Sequence, residues 1–298
     1  MTPAALFLVT ASAFLHVTWN LLGKRGDANS RFFCIATFSG FLALSPLVVV
    51  FHPVVAAMPQ AVWRLLPLTA LFQATYFTGL AGAYRSGDLS VAYPVARALP
   101  VLLVPVITSA VGLGSPISRA AAAGMVLVAT GLFVLALGPD TGQDRQGETR
   151  RWILFAALAG VGTTGYSLVD SHALGVFTAT VPGAPHGAPV VYAAFQSLST
   201  ALFLLVMQYR RSSPSEPRVP WTVPWTAVVA GVFIISAYGL VLAAYQFASN
   251  VGYVVAFRQV SLPLGTVVGT LVLKERLTPQ RATGTAAIVA GLVLVTLY

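Results

Sequence analysis

Acidic side chains are almost missing from this chain: eight Asp and Glu stand among 298 residues, against seventeen Lys and Arg. All charged residues together make up 8%, where a soluble domain carries about a quarter, so an ordinary soluble fold is excluded. Cysteine is reduced to Cys34 inside an apolar run, which rules out a disulfide framework and a thiolate metal site and leaves it as core filler. The four His and scattered acids show no metal-ligand spacing, no phosphate-cradling loop is present, and no nucleophile stands with a base. Metal, cofactor and ATP-driven chemistry, and with them a membrane enzyme, have no basis in the sequence. Lysine is scarce too; two Lys against fifteen Arg, with abundant Ala, Gly and Val, is the bias of a GC-rich bacterial genome.

What the chain has instead is apolar length. Hydrophobic residues make up 57% and the mean hydropathy is +0.81. The apolar runs are each near twenty residues, the length a helix needs to cross a core of about 30 Å. Because lipid leaves unpaired amides unsatisfied, such runs predict helices rather than strands. Ten are expected: Pro3–Leu22, Arg31–Phe51, Val62–Ala83, Leu89–Gly112, Ile117–Leu137, Trp152–Leu174, Ala188–Gln208, Thr222–Gln246, Asn250–Leu273 and Pro279–Tyr298. The first lacks a basic leader and is followed by Lys24-Arg25, so it is expected to stay as a helix rather than be cleaved as a signal peptide.

The net charge of +9 points to membrane orientation and not to nucleic acid. Thirteen of the seventeen basic residues fall in the loops after runs one, three, five, seven and nine; Arg64 and Arg119 lie opposite, and Arg97 and Arg258 are within runs. The positive-inside bias then places both termini on the periplasmic or outer side. The polar stretch 138–151 divides the chain into residues 1–137 and 152–298, five helices each. An odd helix number per half inverts the second half, and inverted repeats are a transporter signature with the site at the midplane. An internal echo fits: Ala83-Tyr84 and Arg97 recur 161 positions on as Ala244-Tyr245 and Arg258, and Gly124 and Gly131 recur 160 positions on as Gly284 and Gly291. The expected fold is an all-α polytopic membrane protein of ten transmembrane helices in two inverted repeats.

Leu273-Lys274-Glu275-Arg276-Leu277-Thr278-Pro279-Gln280-Arg281-Ala282-Thr283-Gly284, running into Gly291-Leu292, resembles the closing motif of the EamA-type ten-helix branch of the drug/metabolite transporter superfamily. Length and the five-plus-five division fit over the whole chain. The first-half counterpart, Leu113-Gly114-Ser115-Pro116-Ile117-Ser118-Arg119, has lost its acidic residue. The resemblance implies a central cavity lined by helices one, three, four, six, eight and nine, opened to either side in turn. It also sets His16 and Lys24 at the spacing that a helix-one glutamate and following lysine have in four-helix multidrug relatives; here the carboxylate is absent.

Arg97 and Arg258 each stand nine residues into a run, about 12–13 Å deep. A charge there costs about 2.5–3.5 kcal/mol on insertion scales, so each must face a cavity or a partner. Together they would clamp a carboxylate or phosphate; alternatively each binds backbone carbonyls at a helix break or pairs with an acid, with Pro94, Pro100 and Pro105 pointing to breaks in run four. Ser12, His16, Trp19 and Asn20 share one face of run one. His16, with an unperturbed pKa of about 6.5, is either a proton-coupling group or an interhelical hydrogen bond. Run six carries Thr163, Tyr166, Ser167 and Asp170 on one face with His172 beyond; Asp170, late in the run, reads as an interfacial or gating acid. Gln73, Tyr76, Gln196 and Tyr238 are candidate cavity residues, Trp63, Trp152, Trp221 and Trp225 interfacial anchors. Gly265 and Gly269 form a small-xxx-small pair in run nine. Asp88 near Arg85 and Glu275 between Lys274 and Arg276 read as helix-end salt bridges or caps.

The expected function is secondary export of small polar metabolites, amino acids or related zwitterions, across a bacterial inner membrane, as monomer or homodimer, with lipid around it and a proton as possible coupling ion. Transport of carboxylates, phosphonates or sugar phosphates, including uptake, and multidrug export are the alternatives. A membrane enzyme using His16 and Asp170, or a non-transporting scaffold, are rivals of another class.

Overall fold

The computed structural model describes residues 1–25, 29–85, 89–136, 146–181, 187–211, 223–271 and 277–297. Asp88, the triplet Lys274-Glu275-Arg276, Trp221 and most of the 138–151 stretch lie outside these. Among the described residues there is no strand. The helices are α1 (Pro3–Arg25), α2 (Ser30–Val50), α3 (His52–Ala56), α4 (Gln60–Arg85), α5 (Leu89–Val111), α6 (Arg119–Ala136), α7 (Gln146–Thr180), α8 (Ala188–Arg211), α9 (Trp225–Tyr245), α10 (Val251–Phe257), α11 (Ser261–Leu271) and α12 (Pro279–Leu297). A 3₁₀ turn, Arg258–Val260, joins α10 to α11.

Helix occurs at every expected run, and nine segments among the described residues are long and apolar enough to cross a membrane. The protein is therefore a multi-pass membrane protein. α4 is long enough but not among the nine. Its apolar run is interrupted by Arg64, Thr69, Gln73 and Tyr76, and three of these serve the interior described below. Large apolar side chains point outward as they would toward lipid: Phe7, Val49 and Leu271 are each more than two-thirds exposed.

Three expectations of local structure are corrected. α5 runs unbroken through Pro94, Pro100 and Pro105. The break is in run nine instead, where Pro263 has no amide hydrogen for the carbonyl of Gln259 and the chain tightens into the 3₁₀ turn just before it. α7, at 35 residues, extends beyond run six at both ends.

Small residues set how closely helices approach. α6 and α12 run antiparallel with glycines facing carbonyls: a Cβ at Gly124 would lie 2.7 Å from the Gly291 oxygen, and one at Gly131 2.6 Å from the Gly284 oxygen. α4 and α7 cross likewise, a Cβ at Gly79 falling 2.6 Å from the Ala159 nitrogen and one at Gly162 2.5 Å from the Tyr76 nitrogen. Gly265, half of the expected small-xxx-small pair, has nothing within 4 Å and fixes no contact.

The partners of the helices follow a pattern. α2 packs on α8 and α9, α5 on α6 and α7 and also on α10, α6 on α12, α4 on α7 and α1 on α9. The apolar core lies between these pairs, its largest cluster built from α4, α7, α8, α9 and α10 around Phe177, Tyr192 and Leu242.

Candidate functional site

Helices α1, α2, α4, α7, α8, α9 and the 3₁₀ turn line a small cavity of about 50 Å³ that is partly open to the exterior. Aromatic rings make much of its wall: Trp19, Tyr76, Phe77, Tyr166 and Tyr238. Gln73, Gln196, Ser12, Thr37 and Ser197 add neutral polar groups, and His16 and Arg258 complete the polar part. Tyr76, Tyr166 and Tyr238 stand edge to face in a row, with ring centroids 5.9 and 5.4 Å apart. Among the described residues α5 supplies no lining residue, whereas α2 and α8 do. This departs from the helix set that the resemblance implies, and the reason lies in what Arg97 does.

Arg97, from α5, is spent on the scaffold. Its Nη2 donates to the backbone carbonyl of Arg258 at 2.9 Å, its Nε to Oε1 of Gln259 at 2.6 Å, and its Nη1 meets Nε2 of His16 at 2.6 Å. The Ser261 hydroxyl donates to the same Arg258 carbonyl at 3.0 Å. The Ser261 backbone amide donates to this carbonyl as well, within the 3₁₀ turn, so the guanidinium adds a bond across helices at the turn. Of the two readings of Arg97, the geometry matches binding of backbone at a helix break; the break is on the opposite helix, not its own.

Arg258 is placed differently. Its guanidinium lies over the Tyr238 ring, 5.4 Å from the centroid, and Nη2 is 3.5 Å from the Tyr166 hydroxyl. Among the described residues no carboxylate lines the cavity beside it. The pair expected to act together is thus divided: one arginine braces the turn, and the other faces the cavity from that turn.

His16 is the hinge between the two roles. Its Nδ1 accepts from the Trp19 indole at 3.1 Å, and its Nε2 faces Arg97. Both neighbours are donors, and a neutral imidazole accepts at only one of its two nitrogens. Asn20 does not join the cavity; its amide donates to the carbonyl of His16 one turn back, at 2.7 Å. It satisfies a carbonyl of its own helix.

Asp170 is buried, with none of its surface exposed. Oδ1 accepts from the Thr69 hydroxyl at 2.6 Å and the Tyr192 hydroxyl at 2.7 Å; Oδ2 accepts from the Gln196 amide at 2.5 Å and from the Tyr238 hydroxyl. Four donors meet the four lone-pair sites of an ionised carboxylate, gathered from α4, α8 and α9 around one residue of α7. Tyr238 therefore touches an anion with its hydroxyl and a cation with its ring face. Thr163 donates to its own helix at Ala159, and His172 is exposed.

Thr69, Tyr192 and Gln259 were not singled out by the sequence reading. Each is a polar residue in an apolar run, as were those that were noticed, but each acquires its role only through a partner distant in the chain. Trp63 and Trp225, at the starts of α4 and α9, are 40% and 69% exposed, which suits the expected interfacial anchors.

No family model matches the sequence, and no curated protein matches it. Among solved structures, one described simply as the crystal structure of a protein is similar over 100% of this chain and 98% of its own, with a TM-score of 0.72 and 21% identity. At that identity the likeness speaks for the fold: this arrangement of helices, end to end, exists in an experimentally solved protein.

Proposed function

We propose that the chain is a secondary transporter of the EamA-type drug/metabolite class, exporting small polar metabolites, amino acids or related zwitterions, across a bacterial inner membrane by alternating access. The observation that carries the reading is the cavity: it lies among seven structural elements of a multi-pass membrane protein, is partly open, and holds Arg258 against aromatic rings with no carboxylate among the described residues on the wall. Charges inside membranes cost enough that one facing a cavity reads as a site.

Ten helices in two inverted repeats of five, residues 1–137 and 152–298, remain part of this reading, with α4 as the tenth span. The pairing of helices supports it. Exchanging each helix for its counterpart turns the α4–α7 contact into the α9–α1 contact and leaves α2–α8, α5–α10 and α6–α12 as themselves. The same exchange, 160 positions along, turns the Gly124–Gly291 approach into the Gly284–Gly131 approach. Such behaviour is what a two-fold axis relating the halves requires. Both termini would then be periplasmic. His16 and Asp170 are the candidate coupling or gating groups, and a monomer or a homodimer would serve.

The organic-anion alternative draws on the same arginine, since nothing on the wall pairs an ammonium. Export of cationic drugs fits less well, because Arg258 would repel them. The two halves of an enzyme built on His16 and Asp170 are held in separate hydrogen-bond networks.

Purified protein in liposomes tests the proposal. Radiolabelled substrate is expected to exchange across the membrane chemically unchanged, and Arg258→Gln is expected to slow exchange by about tenfold or more, the loss of one charge-assisted contact. Conversion of the compound without flux would establish an enzyme instead.

A further inference from the structure

The two arginines differ in what they leave available, and this bears on which molecules the cavity accepts. The guanidinium of Arg97 is committed to the Arg258 carbonyl, Gln259 and His16, and it does not line the cavity. His16 lies between two donors, the Trp19 indole and Arg97. Among the described residues on the wall, Arg258 is then the one permanent charge. On the opposite side of the balance, Asp170 is sealed behind four donors with no exposed surface, and among the described residues no acid lines the cavity.

We propose that the cavity reads a single carboxylate, seated on Arg258 with an apolar body against the tyrosine row, and is indifferent to an α-ammonium and hostile to a second negative charge. The argument is one of desolvation. A carboxylate brought into the site exchanges water for a guanidinium already oriented by Tyr166 and Tyr238. A second carboxylate or a doubly charged phosphate finds only neutral hydroxyls and amides, and its lost hydration is not repaid. An ammonium finds ring faces but no anion, so its gain and its desolvation cost come close to cancelling. The rings of Trp19, Tyr76 and Phe77 supply flat apolar surface for the remainder. This deepens the transport reading and rests on it only for the setting, because charge preference is a property of binding.

The experiment is equilibrium binding of four ligands of one shape to detergent-purified full-length protein at pH 8: 3-phenylpropionate, phenylalanine, phenylsuccinate and phenethylamine. The expected result is that the first two bind with dissociation constants within about threefold of each other, phenylsuccinate about tenfold or more weaker, and phenethylamine not measurably. Arg258→Gln should weaken both monocarboxylates by about tenfold or more and abolish the preference over phenylsuccinate, and Arg258→Lys should retain part of it. Phenylsuccinate binding as tightly as the monocarboxylates, phenylalanine binding about tenfold tighter than its deaminated analogue, or no binding of either monocarboxylate would each overturn the proposal. The unaltered protein alone decides these outcomes, so a variant that fails to fold does not obscure them. Counterflow in liposomes with the same ligands separates the two levels: flux with a dianion preference sinks this inference and leaves transport standing, and the predicted preference without flux does the reverse.

Discussion

Tyr238 is bracketed by opposite charges, with Asp170 on its hydroxyl and Arg258 on its ring face. The carboxylate has no spare acceptor capacity, so what it does for the fold is testable by isosteric replacement. In Asp170→Asn one oxygen becomes an NH₂ group that must face a donor from Thr69, Tyr192, Gln196 or Tyr238. We expect a loss of about 1.5–3 kcal/mol, the value of a hydrogen bond to a charged group, read as a lowered melting temperature in detergent. Tyr192→Phe, which removes one donor and leaves three, should cost less than Asp170→Asn. Equal melting temperatures for all three proteins would mean that the network does not hold the helices together. At this scale the sequence displayed the rare polar residues but not their partners. Arg97 and Arg258 were visible as a pair through their spacing, yet the contact between them runs from a guanidinium to a backbone carbonyl, and a carbonyl is present at every position. The seal around Asp170 was hidden because its donors are 22 to 101 residues away in the chain.

Helices owe their separation to where glycine sits, and not every glycine counts. In α6 and α12 the facing carbonyls leave no space for a side chain at Gly131, whereas Gly265 in α11 opens on empty space. Gly131→Leu should therefore overpack the α6–α12 contact and destabilise the protein by about 1–3 kcal/mol or more. Gly265→Ala should be neutral or stabilise by up to about 1 kcal/mol through helix propensity. Thermal unfolding of the two variants side by side checks this, and an equal loss in both would refute the assignment. Helix positions were legible because apolar length alone dictates them in lipid. The interruption at Arg258–Val260 was not, since three prolines advertised a break in α5 and a single one, Pro263, accompanies the real break. Proline removes a hydrogen bond wherever it stands, so its presence alone does not say whether the helix yields.

For the whole molecule, the open quantity is the side on which each end emerges. The nine apolar spans among the described residues would by themselves put the termini on opposite sides, and a tenth crossing by α4 would bring them to the same side. Reporter fusions decide between these: alkaline phosphatase attached at either terminus is expected to be active, and a green fluorescent protein at either to be dark, if both ends are periplasmic. Activity at one end only would make α4 a helix that lies within the bundle without crossing. Overall hydropathy could not settle the matter beforehand because α4 gives up apolar residues to serve the cavity and the Asp170 network, through Thr69, Gln73 and Tyr76. A helix that works for the interior looks least like a membrane span.

Residue 258 contributes to the molecule twice, through a carbonyl that anchors Arg97 and through a side chain that faces the cavity. The first contribution is independent of the codon, since any residue but one that bends the backbone brings the same carbonyl. Selection for a different cargo can therefore change the charge at 258 in a single step while the brace beneath it stays in place. Position 97 has no such freedom, because there the side chain is the brace. Laboratory evolution toward neutral or cationic cargo should accordingly recover replacements at 258 early and leave 97 untouched.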